Sequence, residues 1–197
     1  MNPFFKAVAL TVAFVGAPVL AADTAKVDKP APAFTLKDEA GKSHSLADYK
    51  GKVVVLEWTN SECPFVKRHY EAKTMQTTQK GFDASKVVWL TVDSTASHNA
   101  KVAADWKKKE GFTQPVLIDT DGKVGKSYAA KTTPHMYVID GQGMVRYAGA
   151  IDDDARGNKT DGPTTNYVKT AVDALLNGKE VPTVTSEPYG CSVKYKS

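Results

Sequence analysis

The chain has two cysteines among 197 residues, and they stand in contrasting surroundings. Cys63 closes an apolar run, Val53-Val54-Val55-Leu56-Glu57-Trp58-Thr59-Asn60-Ser61-Glu62-Cys63-Pro64. Pro64 suits the first position of a helix, where its missing N–H costs no hydrogen bond. A thiolate at such a helix start is stabilised by unpaired backbone N–H groups and the positive end of the helix dipole. Its pKa falls, and the nucleophilic fraction rises. Lys67 and Arg68, one turn on, add a favourable field if they face the sulfur. The plain alternative is an inert buried cysteine at a strand end.

Cys191 follows Gly190 in a Pro-containing tail, Pro188-Tyr189-Gly190-Cys191-Ser192-Val193. A mobile tail of this kind can carry a second thiol to a first. Two roles are open to it. A permanent Cys63–Cys191 disulfide would close a long loop, worth nearly 5 kcal/mol (~) in the chain-entropy description. A resolving thiol would instead attack Cys63 once it is oxidised to a sulfenic acid or a mixed disulfide. Sequence position does not decide contact, because a bridge needs Cα atoms within about 7 Å.

Glu57 lies six residues before Cys63 in the apolar run. A carboxyl on a buried strand has a raised pKa and can exchange protons with a nearby sulfur. A carboxylate at the sheet edge paired with a lysine is the other reading. Asn60 can donate to a thiolate or a peroxide oxygen. Cys63, His135, Met136 and Cys191 form a conceivable soft-metal set, although their spacing specifies no metal. Asp152-Asp153-Asp154 with Asn158 is polar enough for calcium but lacks the ligand spacing of an EF-hand loop, so a solvated loop crossing the site's edge is expected.

These groups need elements to hold them. Val53–Trp58 and Val87–Val92 are β-branched runs without alternation, the pattern of strands buried on both faces. A helix is expected from Pro64 to about Lys80, stopped by Gly81. Another covers 98–110, with Val102, Ala103 and Trp106 on one face and cationic Lys107-Lys108-Lys109 at its end. Pro115–Ile118 reads as a strand and Lys123–Ala129 as a short helix. Met136–Ile139 and Met144–Tyr147 flank Asp140-Gly141-Gln142-Gly143, a hairpin signal. Thr164 or Thr165 caps a last helix carrying Val168, Ala171, Val172 and Leu175. The order β-α-β-α-β-(α)-β-β-α implies a three-layer α/β/α domain whose mixed central sheet is mostly parallel, with antiparallel strands added by the hairpin.

The buried strand, Trp58, Cys63-Pro64 and following helix resemble the active-site turn of thioredoxin-fold proteins. Thr132-Thr133-Pro134 before the strand Met136–Ile139 resembles the same fold's cis-proline, which packs against the reactive cysteine; an ordinary turn proline is the alternative for Pro134. Ala31-Pro32-Ala33-Phe34-Thr35-Leu36 through Tyr49-Lys50-Gly51-Lys52 resembles the redoxin segment before the core. The match is nearest the peroxiredoxin-like branch of the alkyl hydroperoxide reductase/thiol-specific antioxidant group, through Asn60-x-x-Cys63-Pro64-Phe65-Val66, Ile151-Asp152-Asp153 and Gly190-Cys191-Ser192-Val193-Lys194. The resemblance implies thiol redox chemistry on Cys63, a groove shaped by Pro134 and no bound cofactor. It also implies a peroxide or protein disulfide as substrate and an exported thiol protein as reductant. Two departures stand out. Val66 occupies the second cysteine position of a Cys-x-x-Cys motif, so Cys191 is the only thiol left to resolve Cys63. Asn60 and Leu56 replace the Thr and Pro of a typical peroxiredoxin site.

Lys6, the apolar Ala7–Ala17 and the small residues Val19 and Ala21 read as a signal peptide cleaved after Ala21. Three segments follow: 1–21 the signal peptide, 22–180 the redoxin domain, 181–197 the tail. Lys6 carries the only charge removed, so the net charge of +4 becomes +3. That balance gives no nucleic-acid footprint, and no later segment is apolar enough to span a membrane. The expected location is the periplasm or the exterior, where disulfides persist. The rival to a redox enzyme is a non-catalytic binding or scaffold protein with a permanent disulfide.

Overall fold

The computed structural model describes residues 24–196; the signal-peptide expectation for 1–21 lies outside them. The chain runs through β1 (Thr35–Asp38), β2 (Ser43–Ser45), a 3-10 turn (Leu46–Tyr49), β3 (Val53–Thr59), α1 (Pro64–Glu71), α2 (Thr74–Lys80) and β4 (Val87–Asp93). It continues with α3 (Ala100–Glu110), β5 (Val116–Ile118), α4 (Lys123–Ser127), β6 (Thr132–Thr133), β7 (His135–Ile139), β8 (Val145–Gly149), α5 (Tyr167–Leu176) and β9 (Cys191–Ser192).

Seven strands form one sheet in the order β2-β1-β5-β4-β3-β7-β8, and β6 pairs separately with β9. The pairs β3–β4 and β4–β5 are parallel, whereas β3–β7, β7–β8, β1–β2 and β1–β5 are antiparallel. The sheet is mixed, as expected, but it is not mostly parallel: four of its six pairs are antiparallel, because β1 and β2 add an antiparallel edge and β7 joins β3 antiparallel. β3 is buried at every position, the consequence of cover on both faces. Val53 and Val55 point into a cluster with Val66, Met75, Trp106 and Val172, so α1, α2, α3 and α5 share one side. Val54, Leu56 and Trp58 point the other way, against Tyr128, Tyr137 and Phe34. Cys63 and Met136 belong to the first side.

Three boundaries differ from the sequence reading. The helix over 64–80 is two helices, because Lys73 takes a left-handed conformation at φ 59. The Tyr70 carbonyl then accepts both from the Lys73 N–H (3.1 Å) and from the Gln76 side chain (3.2 Å). Asn166, rather than Thr164 or Thr165, caps α5 by accepting from the Lys169 N–H at 2.8 Å. α3 begins after Asn99, whose Oδ1 accepts from the N–H groups of Lys101 and Val102.

Candidate active site

Cys63 stands at the N-cap of α1, extended at φ −68 and ψ 123, with Pro64 inside the first turn. The turn that delivers it is built by Asn60. Its Oδ1 accepts from the Glu62 N–H at 2.7 Å, and its carbonyl accepts from the Cys63 N–H at 3.0 Å. Asn60 is buried, and its side chain braces the loop behind the cysteine instead of bonding to the sulfur. Arg68 points away as well, donating to the Asp154 carbonyl at 2.9 Å.

The Thr133–Pro134 peptide is cis. It carries the Thr133 carbonyl to 3.0 Å from Cys63 Sγ, where a protonated thiol can donate to it. β6 and β9 pair antiparallel, with Thr133 opposite Cys191. That pairing leaves the two sulfurs 2.8 Å apart, both as free thiols. Gly190 permits the approach. It adopts φ +132, and a Cβ there would lie 2.1 Å from the Thr133 oxygen.

The tail departs from the expectation of a mobile arm. The Ala148 N–H donates to the Val184 carbonyl (3.1 Å), and the Ala150 N–H donates to Ser186 Oγ (2.9 Å). Beyond Cys191, the Val193 N–H donates to Lys131 (3.0 Å), the Ala96 N–H to Lys194 (2.9 Å) and the Tyr195 hydroxyl to Ala130 (2.8 Å). Cys191 is thus held from both directions.

The two thiols differ electrostatically. Burial pushes the Cys63 thiol up, but hydrogen bonds from the Cys191 thiol, from Thr133 and from the backbone N–H groups of Val66 and Cys191 more than offset it, leaving Cys63 below the ordinary thiol range. Burial, the hydrogen bond to Cys63 and the Cys63 charge push Cys191 up to about 11. The pair is therefore asymmetric: Cys63 is the thiol that gives up its proton more readily, and Cys191 the one that keeps it.

Glu57 is fully buried on β3, opposite Met136 and Thr91. Its carboxylate accepts from the Tyr70 hydroxyl at 3.0 and 3.2 Å and from Trp89 Nε1 at 2.8 Å. Burial raises its pKa to about 7 against these donors. Among the described residues it has no lysine partner and no hydrogen bond to either sulfur, so the edge-carboxylate alternative fails.

His135 does not join the cysteines. It is in register with Trp58, lies tilted against the Tyr137 ring at 4.7 Å and accepts from the Lys131 N–H, all on the opposite side of the sheet from Cys63. Burial, followed by the nearby Lys131 charge, lowers its pKa to about 4. The soft-metal set of Cys63, His135, Met136 and Cys191 is therefore not assembled. In the acidic loop, Asp153 pairs with Lys159 (2.6 Å) and accepts from the Thr165 N–H, while Asp154 accepts from the Asn158 N–H. Those carboxylates serve the loop's own backbone. Asp152, by contrast, is buried and reaches Tyr189, a residue that sequence reading passed over.

Residues 27–148 match the model of the AhpC/TSA family, well over half of the chain. The chain belongs to the AhpC/TSA family. It is 32% identical over 116 residues to the thiol-disulfide oxidoreductase ResA of Bacillus subtilis, covering 58% of this chain and 62% of that one. It is 32% identical over 131 residues to the chloroplastic peroxiredoxin Q of Suaeda salsa, covering 58% of this chain and 55% of that one. The chain thus spans less than two thirds of the length of either relative. Over nearly its whole length it is similar to the crystal structure of an uncharacterized conserved protein from Geobacillus kaustophilus, with TM-score 0.76 and 27% identity across 92% of this chain and 98% of that one. Thioredoxin-like neighbours of this kind agree with the three-layer α/β/α fold.

Proposed function

We propose that the protein is an exported thiol oxidoreductase in which Cys63 is the redox nucleophile and Cys191 the thiol that resolves it. The observation that carries this reading is the 2.8 Å approach of two sulfurs separated by 128 residues of sequence. The tail is also held by hydrogen bonds that involve neither sulfur, at Val184, Ser186, Val193, Lys194 and Tyr195.

With a peroxide, the Cys63 thiolate attacks one oxygen and the O–O bond breaks. The departing oxygen takes a proton, and Cys63 becomes a sulfenic acid. The Cys191 sulfur then attacks Cys63, expels water and leaves the Cys63–Cys191 disulfide. With a disulfide substrate, Cys63 displaces one sulfur to give a mixed disulfide, and Cys191 displaces the other as a thiol. An exported thiol protein returns the two electrons and two protons. Glu57, with a pKa of about 7 on the Cys63 side of the sheet, is assigned proton exchange during these steps. Thr133 and the cis Pro134 form the wall against which the sulfurs meet, and Asn60 holds the turn. No bound cofactor or metal enters the scheme.

Stopped-flow oxidation by hydrogen peroxide and by a model disulfide, on the wild type and on Cys63→Ser, tests the reading. One oxidant should react with wild-type Cys63 far faster than with a free thiol, and Cys63→Ser should remove that reaction. Peroxide reacting no faster than with a free thiol leaves disulfide exchange as the activity. Failure of both oxidants, with a Cys63–Cys191 potential below about −300 mV, would favour the permanent staple. Export is checked by fractionation and by finding Ala22 at the N-terminus of the recovered protein.

A further inference from the structure

The Ile151-Asp152-Asp153 segment and Tyr189 take no part in the chemistry above, yet they meet beside it. Asp152 is buried at 5% exposure, on the loop between β8 and α5. The Tyr189 hydroxyl donates to its Oδ1. His69 Nε2 lies 3.0 Å from the same hydroxyl, and His69 Nδ1 is 4.0 Å from Asp152 Oδ2. The ring of Tyr189 is tilted against Phe65 at 6.2 Å and lies 5.9 Å beneath the Arg68 guanidinium. Phe65, Arg68 and His69 all belong to α1, the helix that Cys63 caps.

We infer that Asp152, His69 and Tyr189 form a latch that sets the effective concentration of the Cys191 thiol at Cys63, making Tyr189 a positioning residue for the redox pair. The inference rests on the redox-pair reading above and adds the device that presents the second thiol. Its physical basis is the short tether. One residue, Gly190, separates Tyr189 from Cys191, and its backbone is pressed on the Thr133 carbonyl. Seating the Tyr189 ring on α1 therefore adds a side-chain anchor, two residues before Cys191, to the backbone pairing of β6 with β9, and a thiol restrained in this way has a high effective concentration. Asp152 supplies the acceptor from a different part of the chain, so the latch ties the tail, the active-site helix and the β8–α5 loop at one point. Burial, followed by the hydrogen bond to Asp152, holds the Tyr189 phenol far above its ordinary range, so it remains a donor. Burial also leaves His69 neutral, with its pKa lowered to about 4, so it adds no charge to the carboxylate's side of the contact.

The test is thiol–disulfide equilibration of the wild type, Tyr189→Phe, Asp152→Asn and the double variant in glutathione buffers. Oxidation of Cys63 and Cys191 by one glutathione disulfide forms one intramolecular bond and releases two glutathione thiols, so the equilibrium constant is itself the effective concentration. Acid quenching and alkylation read the oxidised fraction. Tyr189→Phe keeps the ring on Phe65 and removes only the hydroxyl. It should lower the constant roughly tenfold or more, the effect of losing one hydrogen bond to a charged acceptor. The double variant should be no worse than the poorer single variant, because both changes break one contact. An equilibrium within twofold of the wild type for Tyr189→Phe overturns the latch, as do fully additive effects. Should Asp152→Asn fail to fold, Tyr189→Phe decides alone. A wild type that forms no Cys63–Cys191 disulfide at any buffer ratio sinks the redox pair itself, a different result from a wild type and variant that form it equally.

Discussion

Cys191 reaches Cys63 through Thr133: the strand pairing that sets Cys191 opposite Thr133 also leaves the Thr133 carbonyl 3.0 Å from Cys63 Sγ. One backbone segment thus carries the tail on one side and meets the buried thiol on the other. The sulfur–sulfur contact follows from main-chain geometry, which explains why residues so distant in sequence can meet without a long flexible arm.

If the pair cycles, removing one thiol traps the other. Cys191→Ser should take up one oxidising equivalent from peroxide or a model disulfide and stop, with Cys63 held as a sulfenic acid or mixed disulfide. Intact-mass measurement after a single turnover detects it. Recovery of full multiple turnover in Cys191→Ser would contradict the resolving role.

Cys63 should alkylate with a pH midpoint below the ordinary thiol range, since its hydrogen bonds outweigh burial. The Cys191 thiol is the largest of those favourable contributions, so Cys191→Ala should move the midpoint upward. Iodoacetamide rates from pH 5 to pH 10 (~) supply both curves. An unmoved midpoint would show that Cys191 does not stabilise the thiolate.

Gly190→Ala should pull the two thiols apart. The new methyl would meet the Thr133 oxygen at 2.1 Å, and the backbone φ of +132 is poorly tolerated by a side chain. The expected loss is roughly 1–3 kcal/mol of stability, with a sharp fall in Cys63–Cys191 disulfide yield. Urea unfolding and alkylation mapping measure the two effects.

Glu57 makes stability depend on pH in a defined window. Its folded pKa of about 7 lies above its unfolded value near 4.5, so both states are protonated in strong acid and nothing is lost there. As pH rises from 4.5 to about 7, the unfolded chain gives up the proton first, and stability falls by about 3 kcal/mol before levelling off. Glu57→Gln should remove this fall, leaving urea midpoints flatter over the same range. An identical slope in wild type and variant would mean that Glu57 is already ionised in the folded protein.

Much of the scaffold was legible because the signals are local. The unbroken apolar runs of β3 and β4 mark doubly covered strands, Asp140–Gly143 marks the hairpin, and Cys63-Pro64 marks the start of α1. The split between α1 and α2 was not legible. Nothing in Glu71-Ala72-Lys73 signals a break, and the Gln76 contact to the Tyr70 carbonyl that accompanies it is visible only in three dimensions. His135 illustrates the same limit. Its place beside Pro134 suggested nearness to Cys63, but strand alternation turns it to the opposite side of the sheet.

By itself the sequence determined the chemistry on offer: a thiol at a helix start, no second cysteine in that helix, a carboxyl within an apolar strand and a lone thiol near the terminus. These depend on residue type and short spacing, which the chain states directly. Only the tertiary structure decided that Cys191 meets Cys63, that Glu57 is bound by Tyr70 and Trp89 rather than by a lysine, and that Tyr189 is seated on Asp152. Each of those contacts joins segments whose separation along the chain carries no information about distance. They exist because the sheet order and the β6–β9 pairing bring the segments together, and because a glycine at 190 lets two backbones close.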